Sequence, residues 1–100
     1  MTATLIAPEL AAVRHLLTTP SIAARTEPYV AGDSIDWTSV LAQVPTMSAG
    51  EALLVRVAHD LWEASGSAST WELQRRLGPG HFERVIEALR ISRGDLAFAA

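Results

Sequence analysis

The side chains able to do chemistry begin with three histidines, His15, His59 and His81. A metal site built on a helix needs ligands three or four residues apart, so that they share one face. Only His59 and Glu63 have that spacing; Asp60 projects elsewhere, and no His-Glu-x-x-His string is present. Two ligands on one turn make half a site, and the two residues read as a solvated helix face. A nucleophilic serine needs a strained turn beside a histidine and a carboxylate, as in Gly-x-Ser-x-Gly at a strand-to-helix elbow. The nearest string, Ser65-Gly66-Ser67, follows a helical segment. The other serines stand at helix starts and turns, where backbone amides use their hydroxyls. The absence of cysteine removes thiol nucleophiles, disulfides, zinc–thiolate sites and iron–sulfur clusters together. The expectation is a non-enzymatic protein with no catalytic residue, no metal site and no cofactor.

Length points the same way. One hundred residues of 10.7 kDa form one core, with no room for a nucleotide-binding sheet plus a substrate domain. The charge is −3, and 49% of residues are apolar. Seventeen alanines with neither lysine nor asparagine make a skewed alphabet, most simply the mark of a GC-rich bacterial genome. Alanine inflates the apolar fraction while adding little burial, so the figure says little about a sticky surface. The chain start lacks the basic and apolar segments of an export signal, and no run of about 18 apolar residues exists. The protein is expected in the cytoplasm, with no membrane partner.

The elements that must position these side chains read as helices. Pro8 opens the first, with Leu10, Val13 and Leu17 at helical spacing, and Thr19-Pro20 ends it. Pro20 starts a short turn anchored by Ile22, and residues 27–36 read as a loop. Asp36 caps a helix carrying Trp37, Val40, Leu41 and Val44, closed by Pro45. Ser48 and Glu51 have the spacing of a capping box, opening a helix at 51–64. Its stripe of Leu53, Leu54, Val57, Leu61 and Trp62, with Val55 as a second patch, marks it as the central core helix, leaving Arg56, His59, Asp60 and Glu63 on the wetter side. Ser69 and Glu72 form a second box, opening a short helix with Trp71, Leu73 and Leu77 that Gly78-Pro79-Gly80 stops. The last helix, 81–93, places Phe82, Val85, Ile86 and Leu89 on one face, with Gly94 as its C-cap. No strand is expected, and the tail at 95–100 is too short to make a sheet. The predicted architecture is a single all-α domain, a small bundle of five or six helices. Residues 1–45 supply N-terminal helices and a loop, residues 48–94 a helix-turn-helix-like tri-helical unit. Whether 1–45 pack on that unit stays open.

Residues 47–51, Met47-Ser48-Ala49-Gly50-Glu51, resemble the signature segment of ABC-type and SMC-type ATPases. That signature works with a phosphate-binding loop containing lysine, which this chain lacks, so the capping box accounts for it. Residues 69–93, with 48–64 before them, resemble the helix-turn-helix unit of DNA-binding regulators: a capped short helix, Leu73 and Leu77 facing inward, Gly78 at the turn, then an apolar-striped helix. The likeness implies a reading helix whose outward residues are His81, Glu83, Arg84, Glu87 and Arg90. It departs from the pattern at Gln74, where a small residue is usual, at Val85, one residue late, and in its two carboxylates that would face phosphates. Residues 70–94 carry five arginines against three glutamates, a weak basic bias.

Three tryptophans, Trp37, Trp62 and Trp71, lie at apolar helix positions, and Trp71 at the start of a short helix is the one expected to be partly exposed. A large rigid side chain that the bundle cannot cover is a natural interface anchor, and arginine is its usual companion. The candidate partner-binding residues are therefore Trp71, Arg75, Arg76, His81 and Arg84. A solvated helix face explains the arginines almost as well. The expected function is a protein–protein interaction or regulatory module, binding another protein or, as a homodimer, itself. The alternative is a helix-turn-helix transcriptional regulator that binds nucleic acid.

Overall fold

The computed structural model describes residues 7–95; the chain start at 1–6 and the tail from residue 96 onward lie outside the described residues. Six α-helices and one small ribbon make up that range: α1 (Pro8–Leu17), α2 (Ala23–Thr26), β1 (Val30–Ala31), β2 (Ser34–Ile35), α3 (Trp37–Ala42), α4 (Ala49–Glu63), α5 (Thr70–Arg76) and α6 (Pro79–Arg93). Single 3-10 turns fill Glu27–Tyr29 and Val44–Thr46, the second holding Pro45. The protein is a small mostly-α fold, with α4, α5 and α6 as the C-terminal three-helix run.

The helix starts follow from their caps. Asp36 accepts from the Ser39 amide at 3.2 Å, which begins α3. The Ser48 box closes in both directions: Ser48 Oγ accepts from the Glu51 amide at 3.2 Å, and the Ser48 amide donates to Glu51 Oε1 at 2.9 Å. At α5 the Ser69 hydroxyl accepts from the Glu72 amide at 3.2 Å, while the Glu72 carboxylate is drawn across to Arg56. Gly94, at φ +83°, ends α6 by sending its amide to the Ile91 carbonyl, and Asp95 follows to the Arg90 carbonyl.

The central helix is α1, which corrects the expectation for the segment at 51–64. It packs against both α4 and α6 and buries Leu10, Ala11, Ala12, Val13, Leu16 and Leu17. Alanine adds little to an apolar stripe read from sequence, yet Ala11 and Ala12 are both buried in the core. Each buried leucine here contributes about 1.5–3 kcal/mol of transfer free energy. One core spans both halves of the chain, joining α1, Ile22 and Val40 to Leu54, Val55, Ala58, Val85 and Ile91.

A helix end inside a core must account for its last four carbonyls. In α1 each has a partner. The Arg14 carbonyl accepts from the Thr18 amide at 2.9 Å and its hydroxyl at 2.7 Å. The His15 carbonyl takes Arg84 Nε at 3.0 Å, the Leu16 carbonyl takes the Thr19 hydroxyl at 2.6 Å, and the Leu17 carbonyl takes the buried Thr26 hydroxyl.

Three further expectations change. The segment at 27–36 is not all loop: β1 and β2 pair antiparallel, Ala31 with Ser34, across a turn of Gly32 and Asp33. Gly32 has φ +58°, as a hairpin turn with glycine in its first central position requires. Strands of two residues are too short to show alternation. Pro79 does not end α5 but opens α6 as its first residue; extended Gly78 precedes it, the backbone a pre-proline residue prefers. Finally, Trp62 and Leu89, counted in apolar stripes, are 37% and 38% exposed, while Ala88 and Ile91 turn α6 inward.

Candidate functional site

The α5 helix carries Trp71 and is pinned by an arginine expected on the wet side of α4. Arg56 grips Glu72 with both terminal nitrogens, at 2.8 and 2.9 Å, while its Nε donates to the Ser67 carbonyl at 2.7 Å. The fork matches the carboxylate in its own plane, so one side chain ties α5 and the 64–69 connection to α4. The Arg56 guanidinium holds the Glu72 carboxyl below its ordinary range. At the other end of α5, Gly50 lets the Arg76 carbonyl approach α4: a Cβ there would stand 3.1 Å from that oxygen.

On this anchored helix Trp71 is 55% exposed, and the Arg75 guanidinium lies 4.6 Å from its ring centre. Residues four apart share a helix face, and a guanidinium over an indole is a favourable cation–π contact. Arg76 is exposed but does not join them, because five residues along a helix place it about 140° around from Trp71. An open groove of about 380 Å³ runs between α5 and α6, lined by Gln74, Leu77, Pro79, Phe82 and Glu83. It opens where Pro79 begins α6, beside the α5 helix that rests on α4. Gln74, one turn on from Trp71, joins the indole to the groove's α5 lip.

The remaining two candidates lie elsewhere. Arg84 is half-buried, its Nε 3.0 Å from the His15 carbonyl and 3.1 Å from the Thr19 hydroxyl, so it serves the end of α1. The His81 Nε2 lies 3.3 Å from the Ser21 hydroxyl, beside the start of α4. Of the five, the structure brings Trp71 and Arg75 together. Sequence reasoning missed the groove, because Phe82 and Leu77 at helical spacing read as core and Pro79 read as a stop.

The histidines are engaged in pairs. His15 Nε2 lies 3.0 Å from Glu87, and His59 Nε2 lies 3.1 Å from Glu63 with its ring tilted against Trp37. No group of three metal-ligating side chains gathers among the described residues. Ser21 and His81 put a hydroxyl 3.3 Å from an imidazole nitrogen. Among the described residues, no helix is long and apolar enough to cross a membrane. No protein-family model, curated protein or solved structure matches this chain.

Proposed function

We propose that this chain is a non-enzymatic protein-interaction module whose contact is Trp71, Arg75 and the groove between α5 and α6. The observation that carries the reading is Trp71, 55% exposed on a helix tied to α4 through Arg56 and Glu72, one turn from Gln74 in the lining of the groove. Interfaces draw most of their free energy from a few tryptophan, tyrosine and arginine side chains. Stacking on Trp71 also leaves Arg75 little rotamer freedom to lose on binding. The polar groups of this site pair locally, Glu72 with Arg56 and Arg75 with the Trp71 ring.

The test is capture by the tagged full-length chain, with mass-spectrometric identification and reconstitution from purified components. Binding that Trp71→Ala abolishes while circular dichroism stays unchanged supports the reading. A wild-type chain that binds nothing, itself included, or binds equally well as Trp71→Ala, overturns it.

The nucleic-acid alternative draws on the order of α4, α5 and α6, but α6 lies along α1 with Arg84 turned inward. Steeply salt-dependent binding of random duplex, weakened by Arg75→Ala and Arg84→Ala, would favour that alternative instead.

A further inference from the structure

We propose that residues 67–77, which hold α5, form a latch that lifts off α4 as a unit while α1, α4 and α6 stay packed, baring the buried Leu53. The latch belongs to the chain alone and operates whatever Trp71 binds.

Buried side chains lock the longer helices in place, and α5 lacks them. Each of α1, α4 and α6 buries at least three residues, whereas none of the seven residues of α5 is buried and five are exposed. Its apolar hold on the core is Leu73 and the Leu77 that follows it, both half-buried. A helix this short falls well below the roughly 12–15 residues that hold together alone in water, so α5 keeps its turns only while it rests on α4. Segments with few buried apolar contacts are the ones that open locally, at free energies below that of global unfolding.

The polar hold centres on Arg56. Besides the fork to Glu72, Arg56 Nε donates to the Ser67 carbonyl at 2.7 Å, and Ser67 Oγ donates back to the Arg56 carbonyl at 3.2 Å. A glycine stands at each end of the segment. Gly66, at φ +67°, is fixed at the base by Asp60, whose Oδ1 accepts from its amide at 2.6 Å; Gly78 is extended ahead of Pro79. Apart from chain neighbours, a Cβ at either glycine would meet nothing within 4 Å, which leaves the backbone room to turn. The residue before a proline disfavours helix, so α5 can melt without unwinding α6.

Leu53 lies beneath the latch. Gly50, Leu53 and Arg56 follow at intervals of three along one face of α4. Gly50 faces the Arg76 carbonyl and the Leu77 side chain, Arg56 holds Glu72, and Leu53 between them is fully buried, so α5 is its cover. Trp71 and Gln74 ride on the same segment, and opening removes the indole and one lip of the groove together.

The chain has no cysteine, so a single introduced thiol reports opening alone. The experiment compares labelling of Leu53→Cys and of Leu16→Cys by dithiobis(nitrobenzoate), each variant first checked by circular dichroism. Leu53→Cys is expected to react about 10-fold or more faster than Leu16→Cys, which only global unfolding exposes. Adding Arg56→Met to Leu53→Cys is expected to speed its labelling by about 10-fold. Arg84→Ala breaks a contact that survives in the open form, so it should speed Leu16→Cys by about 10-fold and leave Leu53→Cys unchanged. A general loss of stability would move both thiols together. Hydrogen exchange of the unsubstituted chain is the second measurement: amides of residues 70–77 are expected to exchange about 10-fold or more faster than those of α1, with a shallower dependence on urea. Equal rates at the two thiols, an Arg84→Ala that speeds both, an Arg56→Met without effect on Leu53→Cys, or α5 amides as protected as those of α1 would each overturn the latch.

Discussion

Arg84 on α6 donates its Nε–H to the carbonyl of His15, in the last turn of α1, at 3.0 Å. One turn along, Glu87 accepts from the His15 ring at 3.0 Å, so α6 meets both the backbone and the side chain of one residue. The guanidinium also faces the negative end of the α1 dipole. An arginine that resembles a surface contact in sequence is thus an internal fastener between α1 and α6.

This separates Arg84 from Arg75 by experiment. Arg84→Ala removes a charged donor from a half-buried carbonyl and is expected to cost about 1–3 kcal/mol in urea unfolding. Arg75→Ala, exposed over Trp71, should stay within about 0.5 kcal/mol. Equal losses at the two positions would contradict the division of roles.

Core truncations should rank by burial rather than by sequence stripe. Leu16 and Leu54 are fully buried, and Leu16→Ala or Leu54→Ala is expected to cost about 2–5 kcal/mol. Leu89→Ala, at 38% exposure, should cost under about 1 kcal/mol despite its place in the apolar stripe of α6. A Leu16→Ala loss as small as that at Leu89 would displace α1 from the centre.

Two helical glycines should respond with opposite signs. Alanine at Gly80 meets nothing within 4 Å, so Gly80→Ala is expected to raise stability by about 0.4–1 kcal/mol by restricting the unfolded chain. At Gly50 the new methyl would press on the Arg76 carbonyl from 3.1 Å, and Gly50→Ala should lower stability by about 1 kcal/mol. Thermal midpoints of the two variants check the pair.

Stability should fall in acid. The Arg56 guanidinium holds Glu72, and the Ser48 amide with help from Arg25 holds Glu51, below their ordinary value of 4.5. A carboxyl with the lower pKa in the folded state binds fewer protons there, so its stabilisation is complete above 4.5 and is lost as pH drops through the folded value. The thermal midpoint is expected to be level above about pH 5 and to decline below it. Glu72→Gln should make that decline shallower; an unchanged slope in the variant would remove Arg56 as the cause.

The capped starts at Asp36, Ser48 and Ser69, the C-cap at Gly94 and the inward faces of Leu10, Val13, Leu54 and Val85 were legible in the sequence, because caps and stripes are rules between residues at most four positions apart. The partial exposure of Trp71 was legible too, from its place at the start of a short helix. Tertiary structure alone decided that α1 lies at the centre, that Arg56 takes Glu72 from 16 residues away, and that Arg84 reaches His15 across 69. It also decided that Pro79 leaves a groove instead of a tight corner. A charged side chain's partner depends on which helices come to lie side by side, and that follows from how small and large residues fill one shared core. Local spacing carries no record of that contest, so arginines alike in sequence part company once the helices pack.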